Sequence, residues 1–149
     1  YAESASRIAE LTRDLSELLP DIAPRLKTLL RPIEARACNR LTLHPPCTLQ
    51  HGQQLRGTLE ASLRNLGFDV RLAASEAHLC CGSAGTYSIL QPQLAKQLRD
   101  RKLAQLCSAD SQAIVSANIG CIQHLQSGTT APVKHWIEVL DEALAEDRR

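Results

Sequence analysis

Cys80 and Cys81 stand side by side in the stretch SEAHLCCGSAG, and Gly82 follows at once. Two adjacent cysteines make a strained disulfide with each other and an awkward piece of core. They point instead to chemistry that needs two sulfurs at one place. Thirty-two residues separate Cys47 from the pair, and 39 separate the pair from Cys121. Thiolates are soft ligands that select zinc or iron–sulfur clusters. Six cysteines also allow three disulfides, but a chain of 149 residues builds a core without such staples. Metal binding or redox chemistry is therefore the expectation.

Other chemistries find less support. The chain holds no GxSxG, HExxH, P-loop or GxGxxG pattern, and GSAGT lacks the lysine and spacing of a phosphate loop. A cysteine nucleophile served by a histidine leaves the other thiols without a task. The domain is not expected to be catalytic alone.

The elements that position these thiols follow from the hydrophobic rhythm. Residues 2–19 predict an amphipathic helix carrying Ile8, Leu11, Leu15, Leu18 and Leu19, ended by Pro20. A second helix is predicted over 21–35, with Asp21 as its N-cap. Residues 1–39 are thus expected to be a helical lead-in, and 40–149 an α/β domain. From Arg40 the pattern alternates between strand and helix. RLTLH, FDVRLA, AIVSA and APVKH read as strands. Helices are expected over 53–65, briefly around Tyr87, over 92–106 behind Pro92, and in WIEVLDEALAE. Such alternation predicts a parallel sheet of about four strands with flanking helices.

In such a sheet the loops after the strands open on one edge, where these folds bind ligands. Cys47 follows the first strand, Cys80 and Cys81 the second, and Cys121 the third. Four thiols at one sheet edge form a ligand set. Helix N-termini near them favour thiolates. Gly82, Gly85 and Gly120 let the backbone come close to a bulky inorganic group. His124, three residues after Cys121, stands where a CxxC pair has its second cysteine and is a candidate further ligand. Cys38 and Cys107 read as small buried residues. His44, His51 and His78 read as hydrogen-bonding or surface histidines, and His135 as structural.

The stretches HPPCTLQHGQ, HLCCGSAGTYSILQP and SANIGCIQHLQSGT, with their lone cysteine, CCG and final cysteine, resemble the cysteine-rich CCG domain family. The likeness covers about 41–144 and is strongest to the form of that domain found in the iron–sulfur subunits of glycolate oxidases. It implies that Cys47, Cys80, Cys81 and Cys121 hold a 4Fe–4S cluster, with zinc as the alternative metal. Members with a final CxxC hold a five-thiolate cluster. This chain has Cys121-Ile-Gln-His124 there, which implies a four-cysteine site or one finished by His124. The resemblance further implies an electron-transfer module of a glycolate dehydrogenase. Its partners would be flavin-containing subunits and an upstream part of the same iron–sulfur subunit. The assembly would be cytoplasmic, peripheral to the inner membrane, and would pass electrons towards quinone.

Composition sets the outer bounds. Apolar residues make up 44% and charged residues 22%, and the net charge is +1. That balance asks for no nucleic acid. One Trp, two Tyr and one Phe leave few platforms for stacking bases or flavin rings. No apolar run approaches a membrane span of about 20 residues. The chain starts at Tyr1 and holds no Met, so it is expected to be part of a longer protein.

Overall fold

A computed structural model describes residues 1–107 and 110–144. Two helices, α1 (Ala2–Leu11) and α2 (Leu15–Leu29), lead into an alternating series. It runs β1 (Arg40–Leu43), α3 (Thr58–Asn65), β2 (Asp69–Leu72), α4 (Tyr87–Leu90), α5 (Pro92–Leu106), β3 (Ala113–Ser116), α6 (Ile119–Gln126), β4 (Val133–His135) and α7 (Trp136–Ala143). The chain is therefore α/β, with a four-stranded sheet. The strand order is β2-β1-β3-β4 and every pairing is parallel. The expected closing helix extended to residue 146; its last two positions lie outside the described residues.

The register sorts the strands into two faces. Leu41 sits opposite Val70 and Ala113, Leu43 opposite Val115, and Ile114 opposite Val133. Side chains alternate along a strand. Leu41, Leu43, Val70, Ala113 and Val115 consequently share one core with Leu19 and Ala23 of α2, Leu59 and Leu63 of α3, and Trp136, Val139 and Leu140 of α7. Ile114 and Val133 point the other way. They pack with Leu103 and Leu106 of α5, Ile122 and Leu125 of α6, and Cys81. All four residues of β3 are buried, as a central strand covered on both faces requires.

Two expectations about the helices are corrected. The break in the lead-in falls at residues 12–14, not at Pro20, and Asp21 lies inside α2 rather than at its N-cap. Asp14 caps α2 instead. Its Oδ1 accepts from Ser16 N at 2.8 Å, and Glu17 Oε1 accepts from Asp14 N at 2.9 Å. That reciprocal capping box is typically worth about 1 kcal/mol. Pro20 and Pro24 lie inside α2 with their rings exposed, and each removes one helical N–H donor. The helix expected over 53–65 begins only at Thr58. A single wide turn, Thr48–Gly52, follows β1, and Gly57 then takes a left-handed φ of 76°. No helix among the described residues is long and apolar enough to cross a membrane.

Candidate metal centre

The strand order reverses between β1 and β3, and the crevice at the carboxyl ends of those two strands is where such sheets take ligands. Cys47 comes four residues after β1 ends, at the head of the Thr48–Gly52 turn. Cys121 sits in the first turn of α6, five residues after β3 ends. Asn118 caps that helix, its Oδ1 accepting from Gly120 N at 2.9 Å and Cys121 N at 3.3 Å. Cys121 thus stands at a helix N-terminus, where the dipole favours negative charge. Cys80 and Cys81 enter from the long segment between β2 and α4.

That segment has little regular structure, and α5 holds it. Lys102 Nζ donates to the carbonyls of Glu76 at 2.7 Å and Ala77 at 3.3 Å. Arg101 pairs with the Glu76 carboxylate, and Ser75 Oγ donates to Gln105 Oε1 at 2.6 Å. Gly82 lies so close to α5 that a Cβ there would fall 2.4 Å from the Ala95 carbonyl oxygen, and its φ is 92°. Only glycine meets both conditions. Gly82 N also donates to Cys80 Sγ at 3.3 Å. Gly120 faces the same segment: its Cβ would stand 2.9 Å from Ser83 Oγ.

Cys81 and Cys121 share one tight group with His44, and Cys47 and Cys80 lie close enough for their charge to act on Cys121. The Cys121 thiol, donating to Cys81, holds the Cys81 thiol well below its ordinary value, with burial opposing and His44 helping. Cys121 is pushed up in turn, first by that shared hydrogen bond and then by burial. Burial, followed by the nearby Cys80, pushes Cys47 up. Cys81 is thus favoured as the anionic partner of Cys121, while Cys47 and Cys121 hold their protons more firmly than a free thiol. A metal that displaces those protons removes the repulsion between sulfurs.

Two further groups converge here that the cysteine pattern alone did not indicate. His44 is 1% exposed, and one ligand atom each from His44, Cys81 and Cys121 all lie within 4.8 Å of one another. The sequence held a signal for it. Alternation from Leu41 and Leu43 puts His44 on the opposite face at the very end of β1, on the side of Ile114 and Cys81. The second group is Lys102, 2% exposed, whose ammonium lies close enough to Cys81, Cys47 and Cys80 for their charge to act on it. Burial lowers its pKa and the thiolates oppose that fall.

The other singled-out residues lie elsewhere. His124 Nε2 donates to the Ala95 carbonyl at 3.1 Å, tying α6 to α5. His51 and His78 are exposed. His135 caps α7, accepting from Ile137 N at 3.3 Å. Cys38 is half-buried against the first core. Cys107 was expected to be buried; it is exposed instead, where α5 ends.

Two sulfurs grouped with a buried imidazole, two more thiols within electrostatic reach and a buried counter-charge suit a soft, anionic metal centre. Residues 41–126 match the family described as the cysteine-rich CCG domain. The chain belongs to this family. It is 44% identical over 147 residues to the glycolate oxidase iron–sulfur subunit of Escherichia coli (strain K12), covering 99% of this chain and 34% of that protein. It is 30% identical over 150 residues to lactate utilization protein A of Geobacillus kaustophilus, covering 95% of this chain and 59% of that protein. Lactate utilization protein A of Bacillus subtilis is 24% identical over 149 residues. This CCG chain therefore spans between about a third and three-fifths of the length of these relatives.

Proposed function

We propose that this CCG domain holds an iron–sulfur cluster on Cys47, Cys80, Cys81 and Cys121 and serves as an electron-transfer module in a 2-hydroxy-acid oxidising complex. The observation that carries this is the convergence of four thiols at the switch point of the sheet, in a chain without an acid–base set of its own. The names of the relatives, an iron–sulfur subunit of glycolate oxidase and lactate utilization proteins, support a hydroxy acid as the ultimate electron source. A 4Fe–4S cluster is the type we propose. When bound, such a cluster supplies a one-electron store whose potential is set by its ligands and surroundings.

The chain's own residues do the rest. Cys80 and Cys81 offer two sulfurs from a segment that Gly82 lets approach α5. Lys102 fixes that segment and places positive charge beside the thiolates. Ile89 and Leu90 on α4 and Ile119 on α6 stand exposed on the elements flanking the site, an apolar rim suited to a protein partner. The proposed partners are flavin-containing subunits and an upstream iron–sulfur part of the same polypeptide. The assembly would sit on the cytoplasmic side of the inner membrane and send electrons towards quinone.

A structural zinc ion is the second reading. It is favoured by the mixed nitrogen and sulfur group of His44, Cys81 and Cys121, a donor set common in zinc sites. Metal and sulfide analysis of the chain prepared anaerobically decides between them. Iron with acid-labile sulfide, and a brown colour that bleaches on reduction, is the expected result. One zinc, with no iron taken up on anaerobic reconstitution, would overturn the electron-transfer function.

A further inference from the structure

We propose that His44 is a nitrogen ligand of the metal centre, beside Cys81 and Cys121. The assignment rests on the iron–sulfur function proposed for this chain and adds a donor that the cysteine pattern does not contain.

Its placement is rigid. His44 N donates to Val115 O at 2.8 Å, and Ser116 Oγ donates to His44 O at 2.9 Å. The central strand β3 therefore grips the main chain of His44 on both sides of its Cα. Alternation along β1 then directs the imidazole to the face that carries Cys81 and Ile114. The ring is 1% exposed, and neither Nδ1 nor Nε2 has a nitrogen or oxygen partner among the described residues; what faces it is the Cys81 sulfur. A buried polar group left unpaired costs about 1–3 kcal/mol. An imidazole in a core normally finds a carbonyl or a hydroxyl. This one has instead a ring nitrogen within 4.8 Å of both Cys81 Sγ and Cys121 Sγ. A metal ion shared with those two sulfurs is the partner that this placement fits.

A backbone carbonyl only accepts, so His124 Nε2 carries its proton and donates it to Ala95 O, tying α6 to α5. His44, not His124, is the histidine whose ring nitrogen gathers with Cys81 and Cys121 among the described residues. The consequence for a cluster is electronic. A neutral imidazole brings no charge, so the centre is less negative than one with a thiolate at that position, and nitrogen ligation raises reduction potentials where it replaces thiolate.

The test uses the untagged chain, reconstituted anaerobically with iron and sulfide, reduced, and studied by pulsed EPR. Samples are prepared with natural-abundance histidine and with histidine labelled with nitrogen-15. The expected result is a strong nitrogen hyperfine coupling that changes isotope with the label. It should persist in His124→Gln and vanish in His44→Gln. His44→Cys serves as the second variant: it supplies a thiolate in place of the ring, keeps the iron and loses the coupling. An iron-loaded chain without histidine coupling overturns the assignment and leaves the proposed function standing. So does coupling that disappears in His124→Gln. A chain that takes up no iron overturns both.

Discussion

On one face of the sheet, Leu41, Leu43, Val70, Ala113 and Val115 meet α2, α3 and α7 around Trp136. On the other, Ile114 and Val133 meet α5 and α6, and the buried groups there include Cys81, His44 and Lys102. The first face is mostly hydrocarbon, with the buried Nε1 of Trp136 as an exception. The second takes in groups that cost free energy when dry, each by about 1–3 kcal/mol if left unpaired. The same four short strands carry both faces, so alternation alone separates them. One face supplies the stability that lets the other hold reactive and poorly solvated groups in place. Variants that act on one face and spare the other test this division.

The largest effect is expected from Cys81→Ser. Cys81 is the most buried of the four thiols and touches Cys121 and His44. Its loss should remove metal uptake altogether, read by iron, zinc and sulfide analysis, while the metal-free fold melts within a few degrees of the parent. A Cys81→Ser chain that still binds metal would mean that the second face is merely another core.

Trp136→Ala is the mirror experiment. Trp136 is 2% exposed in the first core, and such truncations typically cost about 3–5 kcal/mol. Chemical denaturation of the metal-free chain should show that loss. The fraction that stays folded should still take up metal at the same ratio. If the ratio fell as well, the faces would not be independent.

Gly82→Ala should cost less, about 1–3 kcal/mol from the left-handed backbone, plus whatever shift relieves the contact with Ala95. Because the strain falls in the paired-cysteine segment, weaker metal retention should exceed the loss of stability. A competition titration with a chelator measures the first and denaturation the second.

Lys102→Met sharpens the comparison further. It keeps the bulk of the side chain and removes a buried positive charge together with its hydrogen bonds to Glu76 and Ala77. A positive charge favours the reduced, more negative form of a cluster, so its removal should lower the midpoint potential. The expected shift is on the order of 60 mV, a tenfold change in a one-electron equilibrium. An unchanged potential would reduce Lys102 to a clamp on the segment.

Much of this was legible from residue order. The strands are short apolar runs between turn residues, and Pro92 announced α5 at its first position. The three cysteine positions fell after strands, and parallel topology forces those loops to one edge. What stayed hidden was contact between distant elements. The capping box at Asp14 and Glu17 was visible as a local pattern, but Pro20 looked like the stronger punctuation. Both prolines lie inside α2 with their rings exposed, a placement that no local pattern reveals. His44 was one step of alternation beyond β1, and its worth appears only when β3 and the paired-cysteine segment close over it. The hold of His124 on Ala95 joins positions 29 apart and has no signature in sequence.

Cys107→Ser should do least, and that makes it the control for the whole division. Cys107 caps the end of α5, its N–H bonded to Leu103 O at 2.8 Å, and its side chain is exposed. Serine fills the same backbone role, so stability should stay within about 0.5 kcal/mol of the parent. The residue sits beyond Leu106 at the opposite end of α5 from Ala95, which contacts the CCG turn. Metal content should therefore be unchanged. If this substitution emptied the site while Cys81→Ser spared it, the strand-edge placement of the ligands would be wrong. The second face would then owe its buried polar groups to packing alone.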